Sequence, residues 1–149
     1  MGVIVVGVDH SDGAKAALRF ALGEAKLRGA RLRVVHAWQF SAFGASGMEA
    51  GTLSTFAVDL DDLRRGAEAA LDATLRETIP DPGGVDVERR LVEGPAAPAL
   101  IDESRDAELL VVGSRGLGGF RGLLLGSVGQ QVAHHAACPV TIVPNRQHD

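Results

Sequence analysis

Tyrosine is missing from these 149 residues, and tryptophan and cysteine occur once each, as Trp38 and Cys138. Aromatic residues make up only 4% of the chain, and Lys15 and Lys26 are the only lysines among its basic residues. Arginine and alanine in excess, with no tyrosine, is the usage a GC-rich genome yields. A lone cysteine rules out an internal disulfide framework and suits a reducing compartment. Long apolar runs are also lacking. The run Val3–Val8 is too short to span a bilayer or to form a signal sequence with a cleavage site, and no charged segment precedes it. A strong charge of one sign is lacking too: the formal net charge is -4. That mild acidity gives no electrostatic reason to expect a nucleic acid or an anionic membrane as partner. These absences lead to an expected cytoplasmic location. The length suits one domain, residues 1–149, able to bury a core without staples.

What is present alternates. Val3–Val8, Arg31–Ala37, Val85–Leu91, Glu108–Val112 and Val140–Val143 are short runs of Val, Ile and Leu bounded by turn signals, and read as strands. The first, fourth and fifth are nearly continuous in apolar residues, as in a parallel sheet covered on both faces. The second and third alternate more, which places them nearer an edge. Between them lie helical patterns. Ala14, Ala17, Leu18, Ala21, Leu22 and Ala25 form one small-residue stripe, with Ser11 or Asp12 as its cap and Gly29 as its stop. Leu60, Leu63, Ala67, Ala70 and Leu71 share a face of a second helix, with Asp59, Asp61 and Asp62 at its positive end. A third begins near Pro95 and shows Ala97, Leu100, Ile101 and Ser104 on one side. A fourth runs from Ser127 to Ala137, with Val128, Val132 and Ala136 facing inward. Right-handed crossovers then give an α/β fold, a doubly wound open sheet of five parallel strands with helices on both faces. Trp38–Thr55, rich in Gly, Ser and Ala, is too long for an ordinary connection and is either a mobile lid or a disordered excursion. Its aromatic residues cover a ligand, pack a dimer, or do neither.

Ligands of open α/β sheets bind beyond the carboxyl ends of the strands. Here that region gathers Gly7-Val8-Asp9, His36-Ala37 and a glycine-rich loop running from Gly113 through Gly116, Gly118, Gly119 and Gly122 to Gly126-Ser127. The loop leaves a strand and enters a helix, where free amides and the helix dipole favour an anion. Ser127 is expected at the N-cap. Arg115 and Arg121 can add charge-assisted bonds, each worth about 1.5–3 kcal/mol when desolvated. A P-loop would need Gly-Lys-Ser/Thr, and no lysine lies in or after the loop. A dinucleotide site would carry its glycines after the first strand and an acidic residue after the second, which argues against hydride transfer.

Gly113-x-x-Gly116, nine residues, then Gly126-Ser127 resembles the nucleotide-binding signature of the universal stress proteins. The opening Val3-Ile-Val-Val-Gly-Val-Asp9-His-Ser11 is similar to that family's first strand and aspartate. Leu125 to Pro144 is similar to its last helix and strand. The resemblance covers the chain apart from 38–55. It implies the strand order 3-2-1-4-5 and a homodimer paired through the last strand, 139–144. It further implies ATP, or ADP or AMP, carried with Mg2+, as the ligand of a regulatory stress-response module. Hydrolysis, if any, would be slow, and no residue is assigned to catalysis. By position Asp9, beside Gly7, would face the adenosine and, through the nucleotide, the metal. Ala37 would offer main-chain contacts to adenine. Gly113, Ser114, Arg115, Gly116, Leu117, Gly118, Gly119, Gly126 and Ser127 would hold ribose and phosphates, with Val128 behind them. The protein partner is not indicated. His10 stands where a small residue usually follows the aspartate.

Several residues have simpler readings. Asp9 would equally serve as a cap for the first helix. His36 fills space at a strand end. His134 and His135 are adjacent on a helix and point apart, a poor metal pair. Cys138 reads as a buried small hydrophobe.

Overall fold

A computed structural model describes residues 2–39, 59–114 and 125–145. Their elements, in chain order, are β1 (Val3–Gly7), α1 (Asp12–Arg28), β2 (Arg31–Trp38), α2 (Leu60–Thr78), β3 (Val87–Glu93), α3 (Ala96–Glu103), β4 (Leu109–Gly113), α4 (Ser127–His135) and β5 (Val140–Val143). All the strand pairings are parallel, and the order is β3-β2-β1-β4-β5. This is the order the family resemblance implies. The expectation for 38–55 falls mostly on residues outside the described ones, and Trp38 itself closes β2.

The alternation of side chains along each strand divides the interior in two. Ile4, Val6, Leu32, Val34, Leu109 and Val111 point to one face, where α1 and α2 cover them with Leu18, Leu22 and Leu71. Val3, Val5, Val35, Leu110 and Val112 point to the other, under Ala97 and Leu100 of α3 and Val132 of α4. β1 and β4 are apolar at successive positions because both of their faces are covered. Each such valine or leucine contributes about 1.5–3 kcal/mol by leaving water.

α1 lies close to the sheet because its inner face is mostly alanine. Ser11 is its N-cap, accepting from the amide of Ala14 at 3.1 Å, and Gly29 its left-handed C-cap at φ 61°. Gly29→Ala is expected to cost about 1 kcal/mol, since a Cβ is unfavourable in that conformation. Gly29→Asn should cost less, and urea denaturation midpoints would rank the two.

Three sequence expectations need adjustment. In α2 the stripe is buried only from Leu71 onward; Leu60 and Leu63 are 52% and 39% exposed. The continuous apolar run of β5 does not make it an inner strand. It forms one edge of the sheet, half-buried at all four positions, with Val140 and Ile142 against one core and Val143 against the other. β2, by contrast, alternates yet lies inside the sheet. Its Arg33, 12% exposed, is accommodated because it donates to Glu88, the carbonyl of Glu103 and Asp106 at 3.1, 2.7 and 3.0 Å.

Candidate functional site

Both neighbours of β1 run parallel to it, but β2 follows it through α1 and β4 arrives later from α3. The chain therefore diverges at the carboxyl ends of β1 and β4, and a cleft opens there by topology alone. Gly7 ends β1 and Gly113 ends β4. A Cβ built on Gly113 would lie 3.0 Å from the backbone carbon and oxygen of Gly13, in the first turn of α1. Glycine at 113 thus lets the amino end of α1 pass directly over the end of β4.

Val8 is buried and its amide donates to the Val35 carbonyl at 3.0 Å, extending the β1–β2 ladder by one residue. The chain then turns through Asp9. One carboxylate oxygen of Asp9 accepts from the amide and the hydroxyl of Ser11 at 3.1 and 2.5 Å. Ser11 rather than Asp9 caps α1, and Asp9 orients the cap. His10 follows with φ 70°, the left-handed region.

On the β4 side, the amide of Ser114 donates to the Val143 carbonyl at 2.9 Å. The Ser114 carbonyl in turn accepts from the amide of Gly126 at 2.6 Å. Ser114 and Gly126, which flank residues 115–124, are thereby joined. Gly126, not Ser127, is the N-cap of α4. It is extended, at φ -75° and ψ 176°, and no side chain caps that helix end. Ser127 is the first helical residue and exposed, so its hydroxyl and amide stand at the amino end of α4 as expected, one position inside the cap. Val128 is half-buried against the core under α4. The first amides of a helix have no intrahelical acceptors, which makes such an end suited to an anion. Ala37, half-buried near the end of β2, pairs in register with Val92. Arg115, Gly116, Leu117, Gly118 and Gly119 lie outside the described residues, as does Arg121.

Residues 1–144 match the sequence profile of the universal stress protein family. The chain belongs to that family. A universal stress protein of Mycobacterium tuberculosis is 37% identical over 142 residues, which is 93% of this chain and 44% of that protein. The chain spans about half the length of the curated relatives it matches. A universal stress protein from Lactobacillus plantarum superposes with a TM-score of 0.76 at 22% identity, over 95% of this chain and 97% of the other, a likeness of fold. A universal stress protein solved in complex with cAMP is 30% identical, with a TM-score of 0.58 and 95% of each chain covered.

The structure adds residues the sequence did not single out for the site. His36 is buried and holds the Val8 carbonyl, which goes beyond filling space. Thr74 of α2 is 3.1 Å from His10. Nothing in the sequence spacing links position 10 to position 74. Among the described residues no three or more His, Cys, Asp or Glu side chains gather to hold a metal ion. Asp9 supplies one carboxylate at the cleft, which is compatible with a Mg2+ ion that is carried mainly by phosphates and water. Cys138 packs half-buried under α4. Burial pushes its thiol above the ordinary value, against hydrogen bonds with Ser104 and the Leu110 backbone, so it is a poor nucleophile. Among the described residues no helix is long and apolar enough to cross a membrane.

Proposed function

We propose that this chain is a one-domain cytoplasmic module that binds ATP, or the related ADP or AMP, and signals its occupancy to a protein partner. The observation that carries this reading is the hydrogen bond between Gly126 and Ser114. It ties Ser114, which follows the first glycine of the signature, to Gly126 at the amino end of α4. The relative bound to cAMP supports an adenine nucleotide as the ligand class.

In this reading Asp9 faces the adenosine and, through the phosphates, Mg2+, while the main chain at Ala37 meets adenine. Gly113, Ser114, Gly126 and Ser127, with Arg115, Gly116, Leu117, Gly118 and Gly119 of the loop, hold ribose and phosphates. Val128 backs them. When bound, Mg2+ neutralises phosphate charge. No lysine lies in or after the glycine loop, and Asp9 is the one acidic side chain assigned to the site. We therefore assign binding with at most slow hydrolysis rather than turnover. A ligand changes the state that a partner reads only through different affinity for two states. The half-exposed β5, with flanking residues 139–144, is the surface we propose for pairing two copies.

Denaturing the purified protein and identifying released nucleotide by chromatography and mass tests the reading. The wild type is expected to release adenine nucleotide, and Gly126→Asp to release none while keeping a cooperative melting transition. In that variant a carboxylate occupies the place where phosphate would meet the helix end. If the wild type releases nothing and millimolar ATP does not raise its melting temperature, the nucleotide assignment falls and an interaction dimer with an empty pocket replaces it.

A further inference from the structure

A second concave surface lies away from the cleft. It is a groove of about 530 Å3 between the last turn of α2, the turn that follows it and the start of β3. Val87 of the groove pairs in register with Leu32, at the amino ends of their strands, whereas the cleft lies at the carboxyl ends. The volume falls within the range of small-molecule sites, about 300–1,000 Å3. Leu75 and Val87 are half-buried against the core beneath α1 and α2, and Ile79 is buried with them. Pro80 and Pro82 complete the apolar lining.

These walls hold their shape without a ligand. Ile79 closes α2, its amide donating to the Leu75 carbonyl at 2.9 Å. The two prolines have fixed φ and no backbone donor. The turn closes on itself: the Gly83 amide donates to the Asp81 carboxylate at 2.9 Å, and the Val85 amide to the Pro82 carbonyl at 3.3 Å. A surface so preorganised loses little freedom when a ligand enters.

The groove also carries charge of one sign. Its lining holds Arg76 and Arg89 and no acidic residue. Arg89 is paired with Asp72, which lines a neighbouring groove instead. That neighbour, of about 540 Å3, is lined by charges of both signs and so selects no anion. Arg76, in the last turn of α2, has no carboxylate partner among the described residues. Lys26 of α1 adds positive charge at the same turn, where a Cβ on Gly83 would meet its Nζ at 2.9 Å.

We propose that this groove binds a small carboxylate with an apolar tail, the tail against Leu75, Ile79 and Val87 and the carboxylate on Arg76. A planar head with two oxygens matches the guanidinium fork. The tail gains by leaving water. A cation with the same tail lacks the first attraction, and a very short carboxylate lacks the second. The site is independent of the nucleotide reading of the cleft.

The test titrates the full chain with octanoate, kept below its micelle concentration, and follows backbone amide chemical shifts. Butanoate, hexanoate and decanoate vary the tail, and octyltrimethylammonium reverses the charge of the head. Octanoate is expected to shift the amides of Leu75, Arg76, Ile79, Val87 and Arg89 and to leave Gly7, Gly113 and Gly126 unmoved. Affinity should rise up to about fourfold for each added methylene, and level off once the tail fills the groove. Octyltrimethylammonium should bind several-fold more weakly than octanoate. Arg76→Glu, at an exposed position, should weaken octanoate several-fold, while Arg19→Glu, exposed on α1, should leave it unchanged. Equal binding of the cation and the carboxylate, equal effects of the two arginine variants, or shifts confined to other residues would overturn the proposal. So would groove amides that move with protein concentration and not with octanoate, since a second copy would then be the occupant. Should Arg76→Glu fail to fold, the comparison of octanoate with octyltrimethylammonium on the wild type decides alone.

Discussion

Gly113→Val is expected to lower stability by about 1–3 kcal/mol and to leave the purified protein without retained nucleotide. A Cβ at 113 meets the backbone carbon and oxygen of Gly13 at 3.0 Å, and backbone has no rotamer by which to withdraw. The strand or the first turn of α1 must move. Either shift spoils the cleft, since Ser11 and Asp9 sit at that turn and Ser114 follows directly on the strand. Gly7→Ala offers a contrast at the other wall. Its Cβ would meet Leu100 side-chain atoms at 2.7 and 2.9 Å, and that side chain can repack within its core. The smaller loss is therefore expected at Gly7. Urea midpoints and nucleotide release measure both variants. A Gly113→Val protein that unfolds like the wild type and still carries nucleotide would show that α1 does not pass over β4 this closely.

Leu18→Ala should have the largest effect on the fold, about 2–5 kcal/mol. Leu18 is fully buried on α1, among Ile4, Val6 and Val111 of the sheet face beneath. Removing its branched end leaves a void that rigid strands close poorly. The melting temperature would fall by about 2–4 °C for each kcal/mol in a chain of this size. Leu27, on the same helix and 82% exposed, is the control: its replacement by alanine should change stability by no more than about 0.5 kcal/mol. Comparable losses at both positions would contradict the assignment of the buried face.

The strands and helices were legible in the sequence because two periodicities seldom coincide by accident. Val3–Val8 reads as a strand buried on both faces, and β1 is one. The stripe Ala14 to Ala25 reads as a helix face with its stop at Gly29 where the structure has it, and of the two candidate caps, Ser11 and Asp12, the structure selects Ser11. Boundaries shifted where a turn outlasts its proline and glycines. β3 starts at Val87, not Val85, because the Val85 amide turns back to the Pro82 carbonyl. Leu60 and Leu63 fit the helical period, but period records a face and not its length of contact. The candidate site was legible as a spacing of glycines. Its histidine contacts were not. The contact between His10 and Thr74 depends on how α2 packs across the sheet, which no local pattern encodes. The readings at Arg115 to Gly119 rest on the signature alone.

The two borders of the sheet differ in character. β3 carries Glu88, Arg89, Arg90 and Glu93, and three of its charges are tied down, Arg89 to Asp72, and Arg90 to both Glu88 and Glu103. β5 carries no charge at all. Strands on an open border recruit further strands unless charge deters them. Were two chains to join along β5, each would turn its charged border outward, and growth would stop at two. A ribbon of stacked sheets needs two welcoming borders, and this molecule has one. In such a pair the asymmetry would act as a chain terminator for assembly, keeping an apolar strand usable for contact without inviting fibres.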